Sequence, residues 1–214
     1  MSIASLVATY GYWAVFLIVM LESVGIPLPG ETTLVAAALY ASATHELNIG
    51  IIVASAACGG ILGDSIGYWL GRRFGFPLLL RYGPFVGLSE SRLKLGEYLF
   101  LKFGGRIIFF GRFVAALRMF AALLAGVNKF PWGRFLFFNA SGGIVWAATF
   151  GFGAYSFWET LQTLSFPLAV IAVVLVLSVV ILAWRELKRR EKEYSKYAEK
   201  ALPGRLQPPF KLRR

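Results

Sequence analysis

Two stretches of the chain are apolar for long enough to cross a bilayer without interruption. Leu161 to Trp184 contains PLAVIAVVLVLSVVILAW, a β-branched run free of charge, and Phe135 to Phe157 carries Ala140, Ser141, Gly142 and Gly143, small residues that permit close helix contact. Asn48 to Gly71 has the same texture and holds one acid, Asp64. A hydrocarbon-crossing helix needs about 20 mostly apolar residues, so full spans are predicted over 48–71, 135–157 and 161–184.

The other apolar stretches are shorter. Tyr10–Leu21 and Thr32–Ala43 flank ESVGIPLPGE, in which Pro27 and Pro29 remove backbone donors and Gly25 and Gly30 permit tight turns. This predicts a broken, re-entrant hairpin over 10–43, with each arm too short to span alone. Irregular backbone is tolerated at membrane depth only where protein or water satisfies it, so a cavity is expected beside the break.

Gly105–Val127, GRIIFFGRFVAALRMFAALLAGV, is long enough to cross, but crossing would put Lys129 and Arg134 opposite the basic residues that precede it. A second re-entrant hairpin over 105–127 avoids that conflict. Two hairpins entering from opposite sides would face each other tip to tip. A weak internal repeat has the same order of hairpin then span: AACGGI at 56–61 matches NASGGI at 139–144, and AAALYA at 36–41 matches AALLAG at 121–126. Inverted repeats with interrupted helices are a design of secondary transporters, although Ala and Gly bias alone can also produce such matches. Between the hairpins, SESRLKLGEYLFLKFG predicts a helix at the membrane surface or a plain connector, with Ser89 as its N-cap.

Composition supports the same fold class, an all-α polytopic membrane protein. Of the 214 residues 57% are hydrophobic and 15% charged, against about 45–50% and 25% in ordinary soluble domains. The single Cys58 excludes an internal disulfide. With His45 as the lone histidine, no metal site or acid–base scheme built on a His pair or Cys/His cluster is available. These two are read as a packed small residue and an exposed loop residue. The net charge of +11, combined with a mean hydropathy of +0.66, points to anionic lipid headgroups and not to nucleic acid.

All 22 Lys and Arg residues fall in 72–134 and 185–214, eleven in each. Both blocks are therefore expected on the cytoplasmic side, with His45 and Trp158 outside. Residues 185–214, net +7, form a basic cytoplasmic tail that lies on anionic lipid or acts as a solvated stop-transfer signal. The N-terminus lacks a positive n-region and a cleavage site, so no removed signal peptide is expected.

Five charges lie within or beside membrane segments: Glu22, Glu31, Asp64, Arg112 and Arg118. Central placement of such a group costs roughly 2.5–3.5 kcal/mol on insertion scales, so each should line a cavity or find a partner. Glu22 and Glu31 bracket GIPLPG, and a carboxyl in poor solvent can load and release protons near neutral pH, which makes them proton-coupling candidates. Glu31 has the alternative of capping the helix TTLVAAALY. Arg112 and Arg118, six residues apart, converge only if the helix breaks between them. Their guanidinium groups suit the phosphate of a substrate, or else pair with the three acids. Asp64, set among glycines, is expected to bond to a neighbouring hairpin as a supporting residue.

LESVGIPLPGE at 21–31, GDSIGYWLGRRFG at 63–75, FFGRFVAALRMFAALLAG at 109–126 and FFNASGGIVWA at 137–147 together resemble the DedA family, whose domain is also described as VTT or SNARE-associated. The resemblance covers most of residues 10–157 in the family order. It implies a bacterial inner-membrane protein with two facing re-entrant hairpins, needed acids at Glu22 and Glu31, and paired arginines at Arg112 and Arg118. One departure is that family members often place proline in or after the arginine motif, where Ala115, Ala116, Ala121 and Ala122 stand here.

The function this reading implies is a transporter that moves a phosphate-headed polyprenyl lipid, undecaprenyl phosphate, coupled to protons and without a cofactor. Alternatives are an uncoupled phospholipid scramblase and a membrane assembly protein without transport. No paired His, P-loop or serine-nucleophile signature supports an enzyme on lipid phosphates. The expected partners are membrane lipids, the polyprenyl phosphate and protons, and self-association stays open.

Overall fold

A computed structural model describes residues 3–82, 90–113 and 115–201, all of whose regular structure is helical. The eight helices are α1 (Ile3–Val24), α2 (Gly30–Thr44), α3 (Ile49–Tyr82), α4 (Glu90–Phe103), α5 (Arg106–Gly111), α6 (Ala115–Val127), α7 (Trp132–Thr163) and α8 (Phe166–Ala201). Stretches in α3, α7 and α8 are long and apolar enough to cross a membrane, at Ile49–Phe74, Trp132–Thr163 and Val170–Ala198.

Backbone chemistry decides where these helices stop. After α1 the Gly25 N–H donates to the Glu22 carbonyl and the Ile26 N–H to the Leu21 carbonyl, with Gly25 at φ 120°. That pair of bonds is a Schellman cap, which satisfies carbonyls the helix would leave open, and Pro27 then prevents continuation. The same pair closes α6, from Lys129 to Gly126 and Phe130 to Ala125, ahead of Pro131. There the left-handed position falls to a lysine, Lys129 at φ 53°. At its start α3 is capped by the Asn48 carboxamide oxygen, which accepts from Gly50 N–H at 2.8 Å and Ile51 N–H at 3.3 Å.

Three helices run past the apolar stretches that announced them. Residues 3–9 continue the small, apolar pattern, so α1 is 22 residues, about 33 Å, and Tyr10–Leu21 is only its middle. The expected half-length first arm is therefore corrected to a longer helix. Arg72 and Arg73 do not end α3. Arg72 donates to the Tyr68 hydroxyl at 2.6 Å with its guanidinium 5.9 Å from the Tyr68 and Trp69 rings, and the helix continues to Tyr82. Likewise α8 carries on through the basic segment to Ala201. Instead of lying free, that segment packs on α4, burying Ala198 against Leu95 and Leu99. The tail beyond residue 201 and the N-cap expected at Ser89 fall outside the described residues.

At the centre α3 crosses α7. Helices α1 and α6 lie along α3, while α2 and α5 lie along α7. Glycine makes the α1–α3 approach possible, since a Cβ at Gly59 or Gly63 would overlap the Phe16 or Met20 carbonyl oxygen. Around this crossing Val19, Leu34, Ile52, Ala56, Trp146 and Ala147 form one apolar core. Along the apolar length of α8, by contrast, no described residue from Pro167 to Trp184 is buried, as expected of a surface that meets lipid.

Candidate functional site

Two helix breaks carry the buried charges. Between α1 and α2 the chain is non-helical over residues 25–29. Between α5 and α6 the helix is interrupted at Arg112 and Phe113, with Gly111 just before and no proline required. Arg112 and Arg118 each meet their own set of partners.

Arg112 sits at the second break. Its Nη2 pairs with Asp64 of α3 and donates to the Asn139 side-chain oxygen of α7 at 2.6 Å. Asn139 in turn donates to the Ile61 carbonyl at 3.0 Å, which ties α7 to α3 beneath the guanidinium. A Cβ at Gly60 would stand 2.8 Å from Arg112 Nη1, and one at Gly143 would stand 3.2 Å from it. The guanidinium thus occupies a notch that exists because both positions lack a side chain. All three polar residues are almost fully buried.

Arg118 leaves α6 and turns toward the first break. One guanidinium nitrogen, Nη2, pairs with Glu22 at the end of α1, and the other, Nη1, donates to Glu31 in the first turn of α2 at 3.2 Å. The cation therefore clamps the two ends of the 25–29 break. Its Cζ stands 5.3 Å from the Trp146 ring centre, a cation–π contact that supplies a wall from α7. On the other side Gly30 leaves the space that the Glu22 carboxylate fills, which a Cβ there would overlap. Burial is uneven: the Arg118 and Glu22 side chains are 4% and 12% exposed and that of Glu31 is 39%. The cluster is thus closed behind Arg118 and open at Glu31. Arg118 Nε and Trp146 Nε1 are buried donors without a protein acceptor among the described residues.

All five charges singled out from sequence thus enter two ion-paired clusters. The arginines do not converge: Arg112 serves Asp64, and Arg118 serves the two glutamates. Asn139 and Trp146 lie seven residues apart on one face of α7, about 10 Å along it, and mark the levels of the two clusters. Sequence reasoning missed both. A lone carboxamide inside an apolar span was the signal available for Asn139. Trp146 carried no signal that set it apart from other aromatic residues in a span. Among the described residues no group of His, Cys, Asp and Glu could hold a metal ion.

An all-helical chain with several spans and buried, paired charges defines a polytopic membrane protein. A family model described as VTT domain matches residues 28–156. Similar chains include an uncharacterized membrane protein of Synechocystis sp., 43% identical over 69% of this chain and 67% of its own length. An uncharacterized membrane protein of Mycobacterium tuberculosis is 41% identical over 80% and 82%. Protein DedA of Escherichia coli is 34% identical over 72% and 74%. The chain belongs to the DedA family of VTT-domain membrane proteins. No solved structure matches it.

Proposed function

We propose that this protein is a transporter that carries a phosphate-headed polyprenyl lipid, undecaprenyl phosphate, across the bacterial inner membrane, coupled to protons. One observation carries the reading: a single guanidinium, Arg118, is held by two carboxylates at a helix break, one of them, Glu22, mostly buried and the other, Glu31, open to the surface. A phosphate needs the same fork that Glu22 and Glu31 occupy. Protonating the glutamates cancels their charge and frees Arg118 for phosphate. Their deprotonation returns the fork to the carboxylates and expels the headgroup. Phosphate and the two carboxylates compete for one cation, and proton uptake by the carboxylates decides that competition for the phosphate, which couples the two.

The hairpin architecture belongs to the same proposal. At 15 and 13 residues, about 22 and 20 Å, α2 and α6 fall short of the roughly 30 Å hydrocarbon, which supports re-entrant arms. The repeat gains support from matched contacts. Gly59 of AACGGI abuts the Phe16 backbone of α1, and Gly142 of NASGGI abuts the Phe109 backbone of α5, while the next glycines, Gly60 and Gly143, both flank Arg112. In this reading the repeats are inverted and Arg112, with Asp64, braces the point where they meet. Phosphate recognition, first assigned to both arginines, then rests on Arg118. The positive-inside rule supports a cytoplasmic C-terminus, and packing of the α8 extension on α4 supports a common side for the two basic blocks.

The test is movement of a fluorescent polyprenyl phosphate in proteoliposomes. Wild type should move it, and Arg118→Lys, which keeps the charge but cannot fork onto two oxygens, should lose most of the rate. Movement of phosphatidylcholine at an equal rate, indifferent to Arg118, would favour uncoupled scrambling.

A further inference from the structure

A second polar site lies away from the hairpins, where the basic extension of α8 meets α4. A cleft of about 490 Å³ opens there, lined by Tyr98 and Lys102 from α4 and by Glu186, Arg189, Arg190 and Tyr194 among others from α8. We infer that this cleft binds the phosphate of an anionic phospholipid headgroup, with Lys102 and Arg189 as the cations that receive it. The inference needs only that α8 spans the membrane and stands apart from the transport reading.

Position argues for lipid. The apolar run of α8 from Pro167 to Trp184 covers about 27 Å, close to the full hydrocarbon thickness. Lys188 Nζ stands 3.9 Å over the Trp184 ring, a pairing of cation and indole suited to the membrane–water boundary. Arg189, five residues past Trp184, lies about 8 Å beyond that boundary and within reach of headgroups. Tyrosines line the rest of the cleft, with phenols that donate hydrogen bonds and rings that tolerate glycerol.

Charge argues for an anion. Arg190 is committed to Glu186 at 2.9 Å, while Arg189 reaches Glu186 only at 3.9 Å and its side chain is 82% exposed. Lys102 donates to the Tyr98 hydroxyl at 3.3 Å, and its ammonium stands within 6 Å of the Tyr98, Phe103 and Tyr194 rings. Among the described residues it has no carboxylate partner. Glu193 is the remaining acid in the lining, so Lys102 and Arg189 leave one surplus positive charge. An aromatic box orients the ammonium without neutralising it, and a lipid phosphate supplies the missing counter-charge.

The experiment uses the full chain in nanodiscs of mixed phosphatidylcholine and phosphatidylglycerol, with retained lipids counted by native mass spectrometry. Wild type should retain phosphatidylglycerol in preference. Lys102→Gln with Arg189→Gln should lower that preference about thirtyfold, at roughly 1 kcal/mol for each cation near the surface. Lys196→Gln with Lys200→Gln removes equal charge from exposed positions outside the cleft and should change it less than threefold. Comparable thermal melts of both variants check the fold. Equal losses in the two variants, or no preference in wild type, would overturn the site. Displacement of the retained lipid by inorganic phosphate would overturn its assignment to a lipid.

Discussion

Arg112 and Asp64 are paired where neither meets lipid or water, and the pair joins a helix break to the central span. Removing one member of such a pair strands the other charge, at a cost of about 3–5 kcal/mol, whereas replacing both with apolar residues is often near neutral. Arg112→Met and Asp64→Leu should therefore each lower the melting temperature sharply in detergent, and the double variant should recover much of the loss. Equal instability of all three would mean that the Asn139 contact, and not the charge pair, holds the break.

The α1–α3 contact gives a second expectation. Phe16 and Met20 carbonyl oxygens lie where side chains at Gly59 and Gly63 would begin, so any larger residue forces backbone apart. Gly63→Leu should destabilise the protein by more than about 2 kcal/mol, while the same change at Gly133, where a Cβ has open space around it, should cost less than half of that. Thermal melts of the two variants compare them directly.

Much of this was legible in the residues, and the misses have physical causes. Pro27 and Pro29 announce the first break because proline removes donors that a helix needs, and Glu22 and Glu31 stand out because charge is costly in hydrocarbon. The span expected over 48–71 matches the apolar stretch Ile49–Phe74, but the helix that carries it runs on to Tyr82. Basic residues mark where a span leaves lipid, but a helix stops only where its backbone is capped, and Tyr68 and Trp69 give Arg72 a reason to stay helical. The separate fates of Arg112 and Arg118 were hidden because their acidic partners lie 48 to 96 residues away in sequence. Spacing on one helix says nothing of such contacts.

A pH dependence is expected from α4, outside the spans. Glu97 is fully buried there and its carboxyl is raised above the usual glutamate range by burial, offset in part by the Asn128 amide, which donates at 3.0 Å. The folded state thus binds this proton more tightly than the unfolded chain. That stabilisation is complete below the unfolded value of about 4.3 and is lost as pH rises through the higher folded one. The melting temperature of wild type should fall across that window, and Glu97→Gln should remove this part of the fall. A variant with an unchanged profile would exclude Glu97 as its source.

Topology can be read in a Cys58→Ala background with single cysteines introduced at Lys129, Lys196 and His45. Membrane-impermeant reagent should label the first two from the cytoplasmic side and the third from outside. Labelling of Lys129→Cys and Lys196→Cys from opposite sides would exclude a re-entrant second hairpin.

The central claim is that Glu22 and Glu31 lend Arg118 to the substrate by taking up protons. Its most direct measurement is polyprenyl phosphate movement in proteoliposomes under imposed pH gradients, comparing wild type with Glu22→Gln and Glu31→Gln, each checked by thermal melt. Wild-type movement should follow the gradient. Glu22→Gln, which preserves shape but cannot titrate beside the guanidinium, should move lipid at a rate the gradient no longer changes; Glu31→Gln should weaken the response less, since its carboxyl is already half-open to the surface. A well-folded Glu22→Gln/Glu31→Gln protein that kept the full wild-type response to the gradient would contradict the claim.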